Sequence, residues 1–157
     1  PKLIVFQAPT GSGKTIMLAE AMSRMVKELG GEKELSFVWI SVNYLHEQSK
    51  LKLEKHFENE RLLDCINIDE IQNNELDQNQ IVFVNWDSLN KEGISLFMSD
   101  NEKDWNLNKI AENTRDAGRD IVLIIDESHR TAKTSKSQEI VGMIGPKLTI
   151  EVSATPK

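Results

Sequence analysis

Short, uninterrupted apolar runs alternate with helical periodicities along most of this chain, and the alternation predicts its architecture. Six runs read as strands, at residues 3–6, 37–42, 65–68, 81–85, 121–126 and 148–153. Several lack the apolar-polar alternation of a half-solvated sheet, which is the mark of parallel strands covered on both faces. The clearest helix opens at Lys14 and carries Leu18, Ala21, Met22, Met25, Val26 and Leu29 on one face, with Gly30-Gly31 as its stop. Further helices are predicted over residues 44–58, over 107–117 with Leu107, Ile110, Ala111 and Thr114 inward, and over 135–144. Ser135 and Gln138 have the spacing of a capping box, and Gly145-Pro146 ends the last helix. Strands and helices in alternation predict a three-layer α/β fold. Two stretches interrupt the pattern, residues 69–80 and residues 91–104, and both read as surface excursions. Asp69, Glu70, Glu75 and Asp77 in the first lack the ligand spacing of a calcium loop, so that segment reads as solvated.

Composition narrows the class without changing the picture. At 157 residues, 39% hydrophobic and 28% charged, the chain suits one soluble globular domain with one substantial core, residues 1–157. No apolar run approaches the length of a bilayer span and no secretory leader is visible, so neither a membrane partner nor export is expected. Cys65, the one cysteine, has no partner for an internal disulfide and reads as a small core residue, consistent with a reducing, cytoplasmic setting. A net charge of -6 lends no support to nucleic-acid binding, although the total says little about a local groove.

Chemistry enters with the run Ala8-Pro9-Thr10-Gly11-Ser12-Gly13-Lys14-Thr15, set between the first strand and the first helix. A glycine-rich turn lets consecutive backbone N–H groups, here from Thr10, Gly11, Ser12 and Gly13 onward, converge on phosphate oxygens, and the following helix adds its positive end. Lys14 is then placed to reach the β- and γ-phosphates, and the Thr15 hydroxyl to ligate the accompanying Mg²⁺. The ligand so described is a nucleoside triphosphate. Ala8 stands where the usual pattern has glycine, a small loss of backbone freedom. The second half of the site is Ile121-Val122-Leu123-Ile124-Ile125-Asp126-Glu127-Ser128-His129, an apolar strand delivering two carboxylates at its carboxyl end, where open α/β sheets bind ligands. Adjacent acids can divide labour, Asp126 holding Mg²⁺ and Glu127 orienting and deprotonating the attacking water. Taken alone, the acid pair reads equally well as a strand end entering solvent.

With these residues in view the chain resembles the superfamily 2 helicases and translocases. Ala8 to Thr15 stands as motif I, Asp126-Glu127-Ser128-His129 as a variant of the DEAD/DEAH box, and Ser153-Ala154-Thr155-Pro156 as motif III. More narrowly, Val84-Asn85-Trp86-Asp87-Ser88-Leu89-Asn90, the Asp-Glu-Ser-His box and Glu151-Val152-Ser153-Ala154-Thr155-Pro156 look like the Res subunit of type III restriction enzymes. The resemblance implies a RecA-like, three-layer α/β/α P-loop NTPase lobe with a mostly parallel sheet, ATP and Mg²⁺ as cofactors, and duplex DNA as a partner gripped through its backbone. It implies catalytic roles for Lys14, Asp126 and Glu127, and a coupling role for His129, Ser153 and Thr155. Asn43, Gln48 and Asn85 fall where backbone-contacting motifs lie, with Lys50, Lys52 and Lys55 either assisting them or forming a solvated helix face. Trp86 reads as a backbone-contact position or as packing. A second RecA-like lobe, supplying arginines to the transferring phosphate, and a methyltransferase or specificity subunit are further implied partners, and the single lobe is expected to be nearly inactive alone. The alternatives are another DNA or RNA helicase of the same superfamily, a P-loop kinase acting on a small acceptor, and a catalytically idle binding module. Intact Lys14, Thr15, Asp126 and Glu127 argue against the last.

Overall fold

The computed structural model describes residues 2–8, 13–42, 45–59, 62–86, 107–126 and 135–154. Six strands, β1 (Lys2–Ala8), β2 (Glu34–Ser41), β3 (Asp64–Asn67), β4 (Gln80–Asn85), β5 (Arg119–Asp126) and β6 (Leu148–Ala154), form one sheet in the order β1-β6-β5-β2-β4-β3. Every neighbouring pair is parallel. Four α-helices, α1 (Lys14–Leu29), α2 (Leu45–His56), α3 (Leu107–Asp116) and α4 (Ser135–Ile144), and one 3-10 turn (Ile68–Glu70) complete the described elements.

The strands read as continuous apolar runs because successive residues serve two cores. Phe37, Trp39, Phe83, Val122 and Ile124 face Leu18, Met22 and Val26 of α1 and Leu53 of α2. Their neighbours Val38, Ile40, Val84, Leu123 and Ile125 face Ile110 and Ala111 of α3 and Ile140 and Ile144 of α4. Side-chain alternation along each strand therefore builds the three-layer α/β/α fold. Burying Trp39 brings a polar N–H into the core, and it donates to the Ser41 hydroxyl at 3.0 Å. Trp86 packs into the core under α3, so its described role is packing.

Several expectations are refined. The inward face of α1 is Thr15, Leu18, Ala19, Met22, Ser23 and Val26, whereas Ala21 and Met25 flank it and Leu29 is exposed. A helix sitting over a flat sheet buries a stripe one residue wide of the predicted one, and small Ala19 and Ser23 allow the closest approach. β1 differs from its fellow strands: Leu3, Ile4 and Val5 are 50–59% exposed, because β1 lies at a sheet edge that neither core cluster reaches. Residues 69–80 are more than a surface excursion. Leu76 is fully buried, and its N–H donates to the Thr114 hydroxyl at 2.9 Å while that hydroxyl donates to the Ile110 carbonyl at 2.7 Å. Arg119 holds the same segment through Glu75 and the Leu76 carbonyl, each at 3.1 Å. Residues 91–104 and the Ser135 side chain lie outside the described residues, so that excursion and the capping box do too. Gly145, at φ +63, receives the helix end as expected and donates its N–H to the Val141 carbonyl at 3.1 Å. Among the described residues no helix is long and apolar enough to cross a membrane.

Cys65 is half-buried, and burial, reinforced by the nearby Glu54 carboxylate, pushes its thiol up to about 12. Only the thiolate is nucleophilic. A thiol reagent such as a disulfide dye should therefore label native protein at pH 8 at least tenfold more slowly than urea-unfolded protein; equal rates would contradict the burial. Leu76→Ala should lower stability by about 2–5 kcal/mol, the range for emptying a leucine site in a core, measured as a shift of the urea midpoint. A solvated loop residue would change it by less than about 0.5 kcal/mol.

Candidate nucleotide site

Parallel strands point their carboxyl ends the same way, so the turns that follow β1, β2, β4 and β5 all open on one edge of the sheet. Gly13 begins α1 there, with φ 77 and ψ 25, a left-handed backbone that glycine adopts without penalty. The first turn of α1 contains no acidic residue, and its cap, Gly13, has no side chain to offer the leading amides. Leading amide donors of a helix need partners, and a start without a capping side chain suits an anion. Thr15, one residue further on than Lys14, is buried.

Between β1 and β5 runs β6, so the two functional strands are about 10 Å apart. Lys14 spans that gap: its Nζ lies 3.1 Å from Asp126 Oδ1, and the Asp126 side chain is only 5% exposed. The sheet register lines Asp126 up with Val152 of β6 and Val152 with Phe6 of β1, and buried Ser153 follows one residue later. Gly13, Lys14, Thr15, Asp126 and Ser153 are thus brought to one edge of the molecule. Asn85 ends β4 on that same edge beside Ser41, but it is 4% exposed, whereas Gln48 stands exposed on α2. Thr10, Gly11, Ser12, Asn43, Glu127, His129 and Thr155 lie outside the described residues.

Beside the helix start lies a cavity of about 440 Å³, walled by residues 13–16 on one side and by Lys52, Lys55 and His56 of α2 on the other. The two helices are tied together there by His56 Nε2, 3.1 Å from Glu20 Oε1. Sequence reading noticed the lysines but assigned them elsewhere, and it missed His56. The usable signal was spacing: positions 52, 55 and 56 form one stripe on a helix. Lys50 points away from this group and pairs with Glu54 at 3.1 Å.

The family model described as "Type III restriction enzyme, res subunit" matches residues 1–157. The chain belongs to the ResIII family. Family membership places it with the motor lobes of the helicase and translocase class. The ResIII chain shares its fold with the Sulfolobus solfataricus SWI2/SNF2 ATPase core, solved in complex with dsDNA, at 17% identity and a TM-score of 0.59 over 98% of this chain and 28% of that one. It is also 35% identical over 63 residues to the probable ATP-dependent kinase TDA10 of Saccharomyces cerevisiae, which is 40% of this chain and 22% of that protein. The ResIII chain therefore spans less than a third of either relative.

The ion pair between Lys14 and Asp126 makes a quantitative demand on stability. In the absence of nucleotide, Lys14→Met should destabilise the protein by about 1–3 kcal/mol, because a buried carboxylate loses a cation 3.1 Å away. Combining it with Asp126→Asn should recover most of that loss. Simple additivity in urea denaturation would show that the two groups do not interact.

Proposed function

We propose that this chain is the first motor lobe of a type III restriction Res subunit, binding ATP with Mg²⁺ and coupling its hydrolysis to movement along duplex DNA. The contact between Lys14 and Asp126, at a helix start that lacks a side-chain cap, is the observation that supports the reading most. A phosphate-binding lysine and a metal-binding carboxylate have to face one gap, and these two do.

In this reading the backbone from Thr10 to Thr15 cradles the polyphosphate, with the Lys14 ammonium on the β- and γ-phosphates. Mg²⁺ bound with a nucleotide needs only one or two protein oxygens, the rest coming from phosphate and water, and the buried Thr15 hydroxyl and Asp126 carboxylate suit that demand. Such an ion, when bound, neutralises charge developing on the terminal phosphate. Glu127, next along the chain from Asp126, orients and deprotonates the attacking water. Ser153, with His129 and Thr155, relays the state of the nucleotide to the nucleic-acid side. Gln48, exposed, and Asn43 touch the DNA backbone, while buried Asn85 supports that edge from within. The dsDNA in the Sulfolobus solfataricus structure supports duplex DNA as the track. A second RecA-like lobe, with its arginines, completes the site, and a methyltransferase or specificity subunit directs it.

The likeness to a probable ATP-dependent kinase favours one second reading, transfer of phosphate to a small acceptor. Both readings need Lys14 and Thr15, but hydrolysis needs Glu127 as well. In the full-length protein, Lys14→Ala should abolish ATP binding, whereas Glu127→Gln should keep binding within about threefold and slow DNA-stimulated ATP turnover by about 10²–10⁴-fold, the usual worth of a general base. Equal loss of binding in both variants would overturn the division of roles. Labelled phosphate appearing on a small acceptor, with no stimulation by duplex DNA, would establish the kinase.

A further inference from the structure

The cavity beside the helix start extends the phosphate loop in one particular direction. Its walls include Lys14 and Thr15 but not Asp126, so it opens toward α2, away from the side on which Lys14 meets its carboxylate. Lys52, Lys55 and His56 supply the far wall, and among the described residues no carboxylate lines the space. Its volume, about 440 Å³, falls within the range of sites that hold small organic ligands. The lysines of α2 are not alike. Lys50 is occupied by Glu54, and His56 by Glu20, whereas Lys52 and Lys55 are exposed and make no ion pair with any described residue. Two ammonium groups on a wall facing a helix start, with no described carboxylate in the lining between them, create a positive concavity.

Resting on the ATP-binding reading above, we propose that Lys52 and Lys55 are nucleotide-binding residues that grip the α-phosphate and ribose side of the triphosphate, and that they do not serve the DNA track. A polyphosphate has two ends. The end held between Lys14 and Asp126 is the one to be cleaved, and the remainder of the nucleotide leaves the loop on the side that Asp126 does not occupy. That side is the α2 cavity. The lysines there contribute attraction that is exposed to solvent, so the pair together is worth roughly tenfold in affinity and each residue alone only a few-fold.

Calorimetric titration of the full-length protein, without DNA, tests this with a non-hydrolysable ATP analogue and with inorganic triphosphate. Lys52→Ala/Lys55→Ala should raise Kd for the analogue about tenfold and leave that for inorganic triphosphate within twofold, while Lys52→Arg/Lys55→Arg should bind the analogue within twofold of the parent. Duplex DNA affinity, measured without nucleotide, should be unchanged. Less than a threefold effect on the analogue overturns the assignment, and a fall in DNA affinity in its place returns the lysines to the track. An equal loss for inorganic triphosphate overturns the placement on the α-phosphate and ribose. Lys14→Ala, titrated in parallel, separates the two levels: if it binds the analogue as the parent does, the phosphate-loop reading itself fails.

Discussion

A carboxylate at the end of β5 and an ammonium group at the start of α1 meet across an intervening strand, and the site depends on that meeting. A charge as deeply placed as Asp126 is tolerated only near a compensating charge or a set of donors. Lys14 provides one, and it does so because β6 separates β1 from β5 by a single strand width on either side. Had several strands stood between β1 and β5, the lysine could not have reached the acid. The topology is thus part of the chemistry: the order of strands decides which loop faces which acid.

Much of this could be read from the chain before any coordinates. All six strands and all four helices were legible, since buried parallel strands announce themselves as unbroken apolar runs, and Leu107, Ile110, Ala111 and Thr114 of α3 appeared inward as their spacing required. That Gly13, Lys14, Thr15 and Asp126 share one edge was legible too, because they belong to short motifs with fixed positions at strand and helix ends. Features created by tertiary neighbours were not. Nothing local says that Leu76, in a polar stretch, fills a hole beneath α3, or that Ala19 and not Ala21 touches the sheet. The exposure of Leu3, Ile4 and Val5 depends on β1 being at the edge, which is a property of the whole sheet. Lys52 and Lys55 look like any lysines on a solvated helix until α1 is seen beside α2.

The two layers of helix play different parts. α1 and α2 flank the cavity, and their mutual tie, the contact between Glu20 and His56, sets how far apart its walls stand. α3 and α4 are remote from it and secure the opposite core, with the Thr114 hydroxyl accepting from the Leu76 N–H while donating to the Ile110 carbonyl of its own helix. The cavity therefore belongs to one layer and one edge, while the other layer packs against the opposite face of the sheet.

Pairing of β1 with β6 joins Lys2 to Leu148 and Ala8 to Ala154, the two ends of the described chain. During synthesis β1 waits for its neighbour β6 until all the residues between the two strands have been made. Contacts so distant along the chain form slowly. The carboxyl end of β1 gains its sheet partner only after β6 has docked, so the edge that gathers Lys14 and Asp126 is assembled late and cannot guide the first steps of folding.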